Sequence, residues 1–401
     1  MGTFRDIMSD FTAQPAIRQG TQKPKAWIIL LFLLLAYYPA ATFSAVPAPP
    51  TGLCLSPGEI CTSTLSFGKT TSPSIVAPQK VDTNNFHPGF YISVGQTSAP
   101  AASVFSIAAN KPAIIGAKRI YTWRHLEPVE GKYNFSRIEE DLAYLQSIGK
   151  RLWIQVLANQ FNGAQNPNTP SYMWQNPVYG CSSEFSGNYQ RGVQAGGWIA
   201  CYWNDNLSNK LRALLTALGN RFNSEPYFEG ISLSETAIDT ASAKLDPTYS
   251  ATKVQTAFQG NALAAKKAFP NKIVMQMVNF APYDIGSFAA WLVRNGIGIG
   301  SPDTLLSNTY LKTNTYPQYL KHHDVVPTAP DVQWGNYTKI NSDLGRANTA
   351  EELLTGVIQL TNPWYMFWQT RAPYFVNDVL PLITNQAKSL PSALEFYNSS
   401  I

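Results

Sequence analysis

The sequence predicts an α/β chain folded as a (β/α)8 TIM barrel, and three observations predict it. From Phe86 onward, short apolar runs alternate with helical patterns, the order that buries a parallel sheet beneath helices. Eight such runs can be counted, and about 300 residues suit a barrel of ~250 residues extended by insertions. No Gly-rich phosphate turn follows the first strand, so the rival architecture, an open doubly wound sheet, lacks its usual support.

The expected strands are Gly89 to Val94, Ala117 to Thr122, Arg151 to Leu157, Gly230 to Ser234, Lys272 to Val278, a weak one within Gly298 to Leu306, another within Val325 to Trp334, and Tyr365 to Trp368. The helices between them are clearer. Ser136 is expected as the N-cap of a helix with acids in its first turn and with Ile138, Leu142 and Leu145 on one face. Leu207 to Phe222 repeats Leu at 211, 214, 215 and 218, the stripe of an amphipathic helix. Val254 to Phe269, Ile285 to Val293 and Thr349 to Leu360 follow the same pattern. The longest insertion, Asn159 to Asp205, follows the third strand, and a loop of that length in a compact domain is usually functional.

Upstream of the barrel, residues 1–45 read as a signal peptide or an N-terminal membrane anchor. A net-positive segment ending in Lys23 and Lys25 precedes the apolar run Ala26 to Tyr38 and then small residues through Ala45. The stretch 26–46 is also close to the ~20 residues that span a bilayer. Either version exports the remainder, to a secreted or periplasmic location with inner-membrane anchoring as the variant. Residues 46–85 are rich in Pro, Ser and Thr and read as a linker or arm, leaving 86–401 for the barrel. The cysteines fall in two local pairs, Cys54 with Cys61 and Cys181 with Cys201, which an oxidising compartment would allow to form disulfides. Four reduced thiols are the alternative, and the spacing does not suit a zinc site.

Composition bounds the partners. The 401-residue chain is 45% hydrophobic, 12% aromatic and 14% charged, with net charge +5. A chain so rich in aromatics and so poor in charge is not disordered. The excess positive charge is spread without a basic run, which argues against nucleic acid. Many aromatic rings on a weakly charged chain suit a neutral, ring-shaped ligand, although most aromatics of any chain serve its core.

In a barrel of this kind reactive groups lie at the C-terminal ends of the strands. The second strand ends in Trp123-Arg124-His125-Leu126-Glu127-Pro128-Val129-Glu130-Gly131-Lys132-Tyr133-Asn134-Phe135-Ser136, and the fourth in Ser234-Glu235. With Ile148-Gly-Lys-Arg-Leu-Trp-Ile-Gln-Val156 following, these segments resemble the clan A glycoside hydrolases, barrel enzymes that act on β-linked sugars. The resemblance implies that Glu235 is a general acid/base and that Trp368 lines a sugar pocket. It also implies a nucleophilic Glu at the end of strand seven, where this chain has Gln333, an amide that can hydrogen-bond a sugar but cannot attack it.

Independently of family, glycoside hydrolysis needs two carboxyl groups, one protonated and one ionised. Glu235 suits the first, because alternation with Ile231 and Leu233 would place it beside apolar side chains, where desolvation raises a pKa. For the second, Asp303 in the turn Gly300-Ser-Pro-Asp303 competes with Asp331, which shares the strand face of Gln333. Trp123, Arg124, Asn159, Asn279, Gln333 and Trp334 at strand ends are the expected substrate-binding donors and stacking faces. His125 reads as structural, Glu127 and Glu130 as organisers of the second loop, and His322-His323 as a solvated helix end. No metal and no cofactor is expected. The function expected is an exported glycosidase or transglycosidase acting on a poly- or oligosaccharide. Against it stand a carbohydrate-binding barrel without turnover and an envelope protein whose barrel mouth is plugged. A carboxylate within ~10 Å of Glu235 across the mouth separates the first from the second.

Overall fold

The structure, a computed structural model, describes residues 86–160, 166–174, 176–180, 190–192, 197–238, 240–244, 246–385 and 390. The expected leader, the linker, Cys54, Cys61 and Cys181 lie outside these residues. Cys201 is fully buried.

Eight parallel strands close into a barrel. They are β1 Gly89–Val94, β2 Ile114–Thr122, β3 Arg151–Leu157, β4 Phe228–Leu233, β5 Ile273–Met277, β6 Gly298–Ser301, β7 Thr328–Val332 and β8 Tyr365–Gln369. Each pairs with its sequence neighbours, and β8 closes on β1 through Gly89 opposite Tyr365 and Ile92 opposite Trp368. The fold expected from the sequence is therefore the fold observed. Pro330 stays within β7 because pairing to β6 ends at Pro330 and pairing to β8 starts at Asp331.

The main helix after each strand is, in order, α1 Ala101–Phe105, α2 Ser136–Ser147, α3 Asp205–Phe222, α4 Ala251–Ala268, α5 Ile285–Arg294, α6 Tyr316–His322, α7 Ala350–Thr361 and α8 Leu380–Asn385. Their starts are written in the sequence. Asn204, Ser250, Asp284 and Thr349 accept backbone N–H bonds of α3, α4, α5 and α7, and Thr349 forms a full capping box with Glu352. Ser136 is not the cap expected. It is the first helical residue of α2, and the Asn134 carboxamide oxygen accepts from both its N–H (3.1 Å) and its hydroxyl (2.8 Å).

Two apolar layers result. The outer one packs helices on the barrel and contains the expected stripe Leu207, Leu211, Leu214, Leu215, Leu218 and Phe222. The inner one fills the barrel with Tyr91, Trp153, Met275, Met277, Tyr365 and Phe367. Bulk on one strand needs absence on the next: a Cβ on Gly116 would meet the Tyr91 ring at 2.4 Å, and one on Gly300 the Met277 sulfur at 2.4 Å. Above these rings the interior turns polar, with Ser93, Lys118, Gln155 and Asp331 all buried. That polar layer is the floor of the mouth.

Candidate active site

Three loops meet at the mouth above β4, β5 and β6, and each supplies one side chain. Glu235 follows β4, Asn279 follows β5 and Asp303 follows β6. The Asn279 amide nitrogen donates to Glu235 Oε2 at 2.5 Å and to Asp303 Oδ2 at 3.1 Å. Its orientation follows from the rest of its bonding. Asn279 Oδ1 accepts from the Ala237 N–H at 2.9 Å, and the Asn279 N–H donates to Thr236 Oγ1 at 2.9 Å. With the oxygen committed to the β4 loop, the NH2 must face the two acids. Asn279, expected as a substrate donor, is thus spent on holding the carboxyl groups.

The two carboxylate oxygens lie no farther apart than those two bonds laid end to end. That bound is close to the ~5–5.5 Å of retaining glycosidases and short of the ~6.5 Å where inverting pairs begin. Both acids are half-buried. Burial and then the charge of Asp303 push the Glu235 carboxyl up to about 8, against the opposing pull of the Asn279 bond and Lys118. Asp303 is also raised, by burial first; the Asn279 bond and Lys339 act against this, and Asp331 adds to it.

The physical reason for the Glu235 shift differs from the one expected. Ile231 and Leu233 point into the outer layer toward the helices, and the alternation breaks after Leu233. Ser234 turns its hydroxyl to the β3 edge, accepting from the Ala158 N–H at 3.1 Å and donating to the Val156 carbonyl at 3.1 Å, so the chain swings Glu235 over the mouth.

Asp331 is not brought to Glu235 as a partner. It lies inside the barrel, 2% exposed, where it accepts from Lys118 and from Ser93 Oγ (3.3 Å). Lys118 also donates to Gln155 Oε1 at 3.0 Å and sits 4.8 Å from the Phe367 ring centroid. Burial raises the Asp331 carboxyl, with Lys118 and Ser93 opposing. Of these interior residues Asp331 was expected as a catalytic candidate, whereas Ser93, Lys118 and Gln155 were missed because their strands were read as apolar runs. Their signal was a lysine in mid-strand, at Ala117-Lys118-Arg119-Ile120.

Several expected sugar-binding residues serve the scaffold instead. Trp368 is fully buried on the outer face, stacked on Tyr337 at 6.3 Å, because Tyr365 and Phe367 take the inward positions of β8. Trp123 is also fully buried in the outer layer, its indole N–H donating to Glu127 Oε2 at 2.8 Å. Asn159 is fully buried and occupied by backbone: its Oδ1 accepts from the Ala200 N–H at 3.0 Å and its Nδ2 donates to the Ala237 carbonyl at 3.3 Å. Arg124 donates to the Pro167 carbonyl at 3.3 Å. Gln333 caps the short helix Trp334–Thr338 in a capping box with Asn336. Trp334 remains half-buried, but Arg371 lies 5.3 Å from its ring centroid and covers part of that face.

Glu127 organises the β2 loop: it accepts from Trp123, from the Gly131 N–H at 2.9 Å and from the Tyr172 hydroxyl at 2.9 Å, which ties that loop to the long insertion after β3. Glu130 accepts from the Tyr179 hydroxyl at 2.6 Å and pairs with Lys210 at 2.6 Å. Among the described residues no cluster of three His, Cys, Asp or Glu side chains could hold a metal ion.

Solved structures share this architecture. The catalytic domain of β-amylase from Paenibacillus polymyxa aligns at 9% identity over 76% of this chain and 100% of that one, with a TM-score of 0.55. The lactosyl-enzyme intermediate of endo-glycoceramidase II from Rhodococcus sp. aligns at 12% identity over 76% of this chain and 80% of that one, with a TM-score of 0.51. Both neighbours are glycoside hydrolases, and at such identities the likeness is one of fold. The chain matches no protein-family model and no curated protein sequence.

Proposed function

We propose that this protein is a retaining glycoside hydrolase or transglycosidase in which Glu235 and Asp303 are the working carboxyl pair. One observation carries the reading: a single amide, Asn279, bridges the two acids at the spacing that suits a covalent glycosyl intermediate. Glu235, pushed to about 8, keeps its proton at neutral pH and is the acid. Asp303, the other member, is the nucleophile.

In the first half-reaction Glu235 donates its proton to the glycosidic oxygen while Asp303 attacks the anomeric carbon from the opposite face. The bond to the leaving sugar breaks and an ester to Asp303 forms. In the second, the Glu235 carboxylate takes a proton from water, or from a sugar hydroxyl in transfer, and the oxygen so activated displaces Asp303. Two inversions retain configuration, and both acids return to their starting states.

The glycosidase neighbours support a carbohydrate substrate at the level of fold, and fold alone does not fix function. Export remains part of the proposal, supported by the basic-then-apolar leader and the paired cysteines. The binding-barrel alternative drew on Gln333 at the expected nucleophile position and called for no carboxylate near Glu235; Asp303, bridged to Glu235 by Asn279, speaks against it.

The test is digestion of a glycan panel by the full chain, with product anomers followed by NMR. Products that first appear in the substrate's own configuration are expected, with Glu235→Gln abolishing turnover and preserving binding. Inverted products would overturn the retaining pair; wild-type turnover in Glu235→Gln would overturn the acid. Glycan binding by the wild type without cleavage of any panel member would favour the binding barrel.

A further inference from the structure

Trp123 and Trp368 are spent on the scaffold and Trp334 is partly covered by Arg371, so a neutral sugar at the mouth needs another aromatic surface. The loops that carry the acids supply one. Phe280 follows Asn279 directly, so its Cα is one peptide step, ~3.8 Å, from that of the residue bridging Glu235 and Asp303. The Ala281 N–H donates to the Asn279 carbonyl at 2.9 Å, a three-residue turn with Phe280 at its apex. Tyr310 meets it from the loop after β6, the loop that also carries Asp303. The two ring centroids are 5.3 Å apart and the rings are inclined at 37°. The Tyr310 hydroxyl donates to the Ala281 carbonyl at 3.4 Å.

Both rings are held in place, yet neither serves the core. Asn308 fixes the turn at Tyr310: its carboxamide oxygen accepts from the Leu311 N–H at 3.0 Å and its carbonyl from the Lys312 N–H at 3.0 Å. Phe280 is half-buried and Tyr310 is 36% exposed, and neither belongs to the inner or the outer apolar layer of the described residues. Rings already ordered beside a reactive centre can take a ligand face without a further loss of side-chain freedom. The charges on these loops select the ligand. Asp284 accepts from the Ser287 N–H at 2.6 Å, which holds its carboxyl low and ionised, and Lys312 is paired with Asp343 at 3.3 Å. A neutral ring is accepted there, whereas a uronate meets a like charge.

We propose that Phe280 and Tyr310 form the stacking platform for a neutral sugar unit next to the one cleaved, so that the substrate is a glycan chain gripped over more than one unit. This deepens the reading of Glu235 and Asp303 as the working pair and rests on it. The rings touch substrate and take no part in proton transfer.

The test reads binding rather than turnover. The full chain carrying Glu235→Gln is titrated calorimetrically with β-linked gluco-, manno- and galacto-oligosaccharides, as disaccharides and pentasaccharides, and with a pentasaccharide of uronic acids. The neutral pentasaccharide that binds is expected to weaken by about five- to tenfold when Phe280→Ala or Tyr310→Ala is added, the scale of one aromatic contact. Phe280→Tyr keeps the affinity, and Phe280→Leu, which still fills the space between the two loops, loses it. Full affinity in Phe280→Leu would leave the rings a clasp between loops and overturn the platform, as would a uronic-acid chain bound as tightly as the neutral one. Ring-dependent binding by a wild-type chain that cleaves no member of the panel would sink the glycosidase reading and keep the platform. Cleavage of the pentasaccharide with an unchanged KM in Phe280→Ala would do the reverse, and a panel of which nothing binds would overturn both.

Discussion

Glu235 and Asp303, from the loops after β4 and β6, share the two hydrogens of one side-chain amide, at 2.5 and 3.1 Å. Neither acid touches the other, and the amide belongs to a third loop. The spacing of the pair therefore depends on Asn279, which the backbone of the β4 loop holds in one orientation.

Asn279→Ala removes that spacer and leaves the Ala237 N–H without its acceptor, while the backbone N–H bond to Thr236 Oγ1 is kept. Reacting groups displaced by about 1 Å lose roughly 100-fold in rate, so kcat is expected to fall by about that factor with KM little changed. Asn279→Asp places a third carboxyl between two others, and the expected loss is at least as large. Steady-state kinetics on a cleaved glycan measure both, and wild-type kcat in Asn279→Ala would remove the amide from the machinery.

The pH profile follows from the same two acids. Turnover needs Glu235 protonated, so activity falls as pH rises through about 8. It needs Asp303 ionised, and because that group is raised, the acid limb lies above the ordinary aspartate value of about 3.9. The kcat/KM profile is expected to be a bell, its alkaline limb near 8 and its acid limb above the ordinary aspartate value, with both limbs belonging to the coupled pair. An optimum in the range of unperturbed carboxylates would contradict the burial argument.

Much of this site was legible in the sequence, and the unread part has a single cause. Strand positions and the candidate acids, Glu235 with Asp303 or Asp331, followed from apolar runs, turn residues and spacing, whereas the one helix cap expected, Ser136, is instead the first helical residue. What failed was the assignment of faces. In a parallel barrel both faces of every strand are buried, so period-two alternation does not say which residue enters the barrel. Trp123, placed at the mouth as a strand-end residue, and Trp368, placed there by the resemblance, both face the helices, and Lys118 was overlooked inside the barrel. Strand seven lies within the expected Val325 to Trp334, and Pro330 fits in it because pairing switches from β6 to β8 there.

Glu235 carries a cost to stability that the sign of its shift defines. Its folded-state value of about 8 lies above the unfolded value of about 4.3, so between these the native state binds more protons. Its contribution is fully present below the unfolded value and is lost as pH rises toward 8. Glu235→Gln is neutral throughout, and it is expected to stabilise the fold near pH 8 by roughly 1–2 kcal/mol after solvent screening of a half-buried group, with no gain near pH 4. Denaturant unfolding at the two pH values measures this, and equal effects at both would contradict the shift.

Trp368→Ala separates a scaffold residue from a sugar platform. The ring is fully buried between barrel and helices and stacked on Tyr337, which in turn stacks on Tyr374 at 5.7 Å. Removing it leaves a cavity that the surrounding side chains cannot close, at an expected cost of about 3–5 kcal/mol in denaturant unfolding. Because the indole never reaches the mouth, KM for a cleaved glycan is expected to stay within about twofold while the variant is folded, a small effect on the scale of ordinary surface changes. A stacking platform would give the opposite pattern: an intact fold and a KM raised tenfold or so, since sugar stacking on an aromatic face is worth about 1 kcal/mol. That outcome would return Trp368 to the pocket and require β8 to present its other face to the barrel.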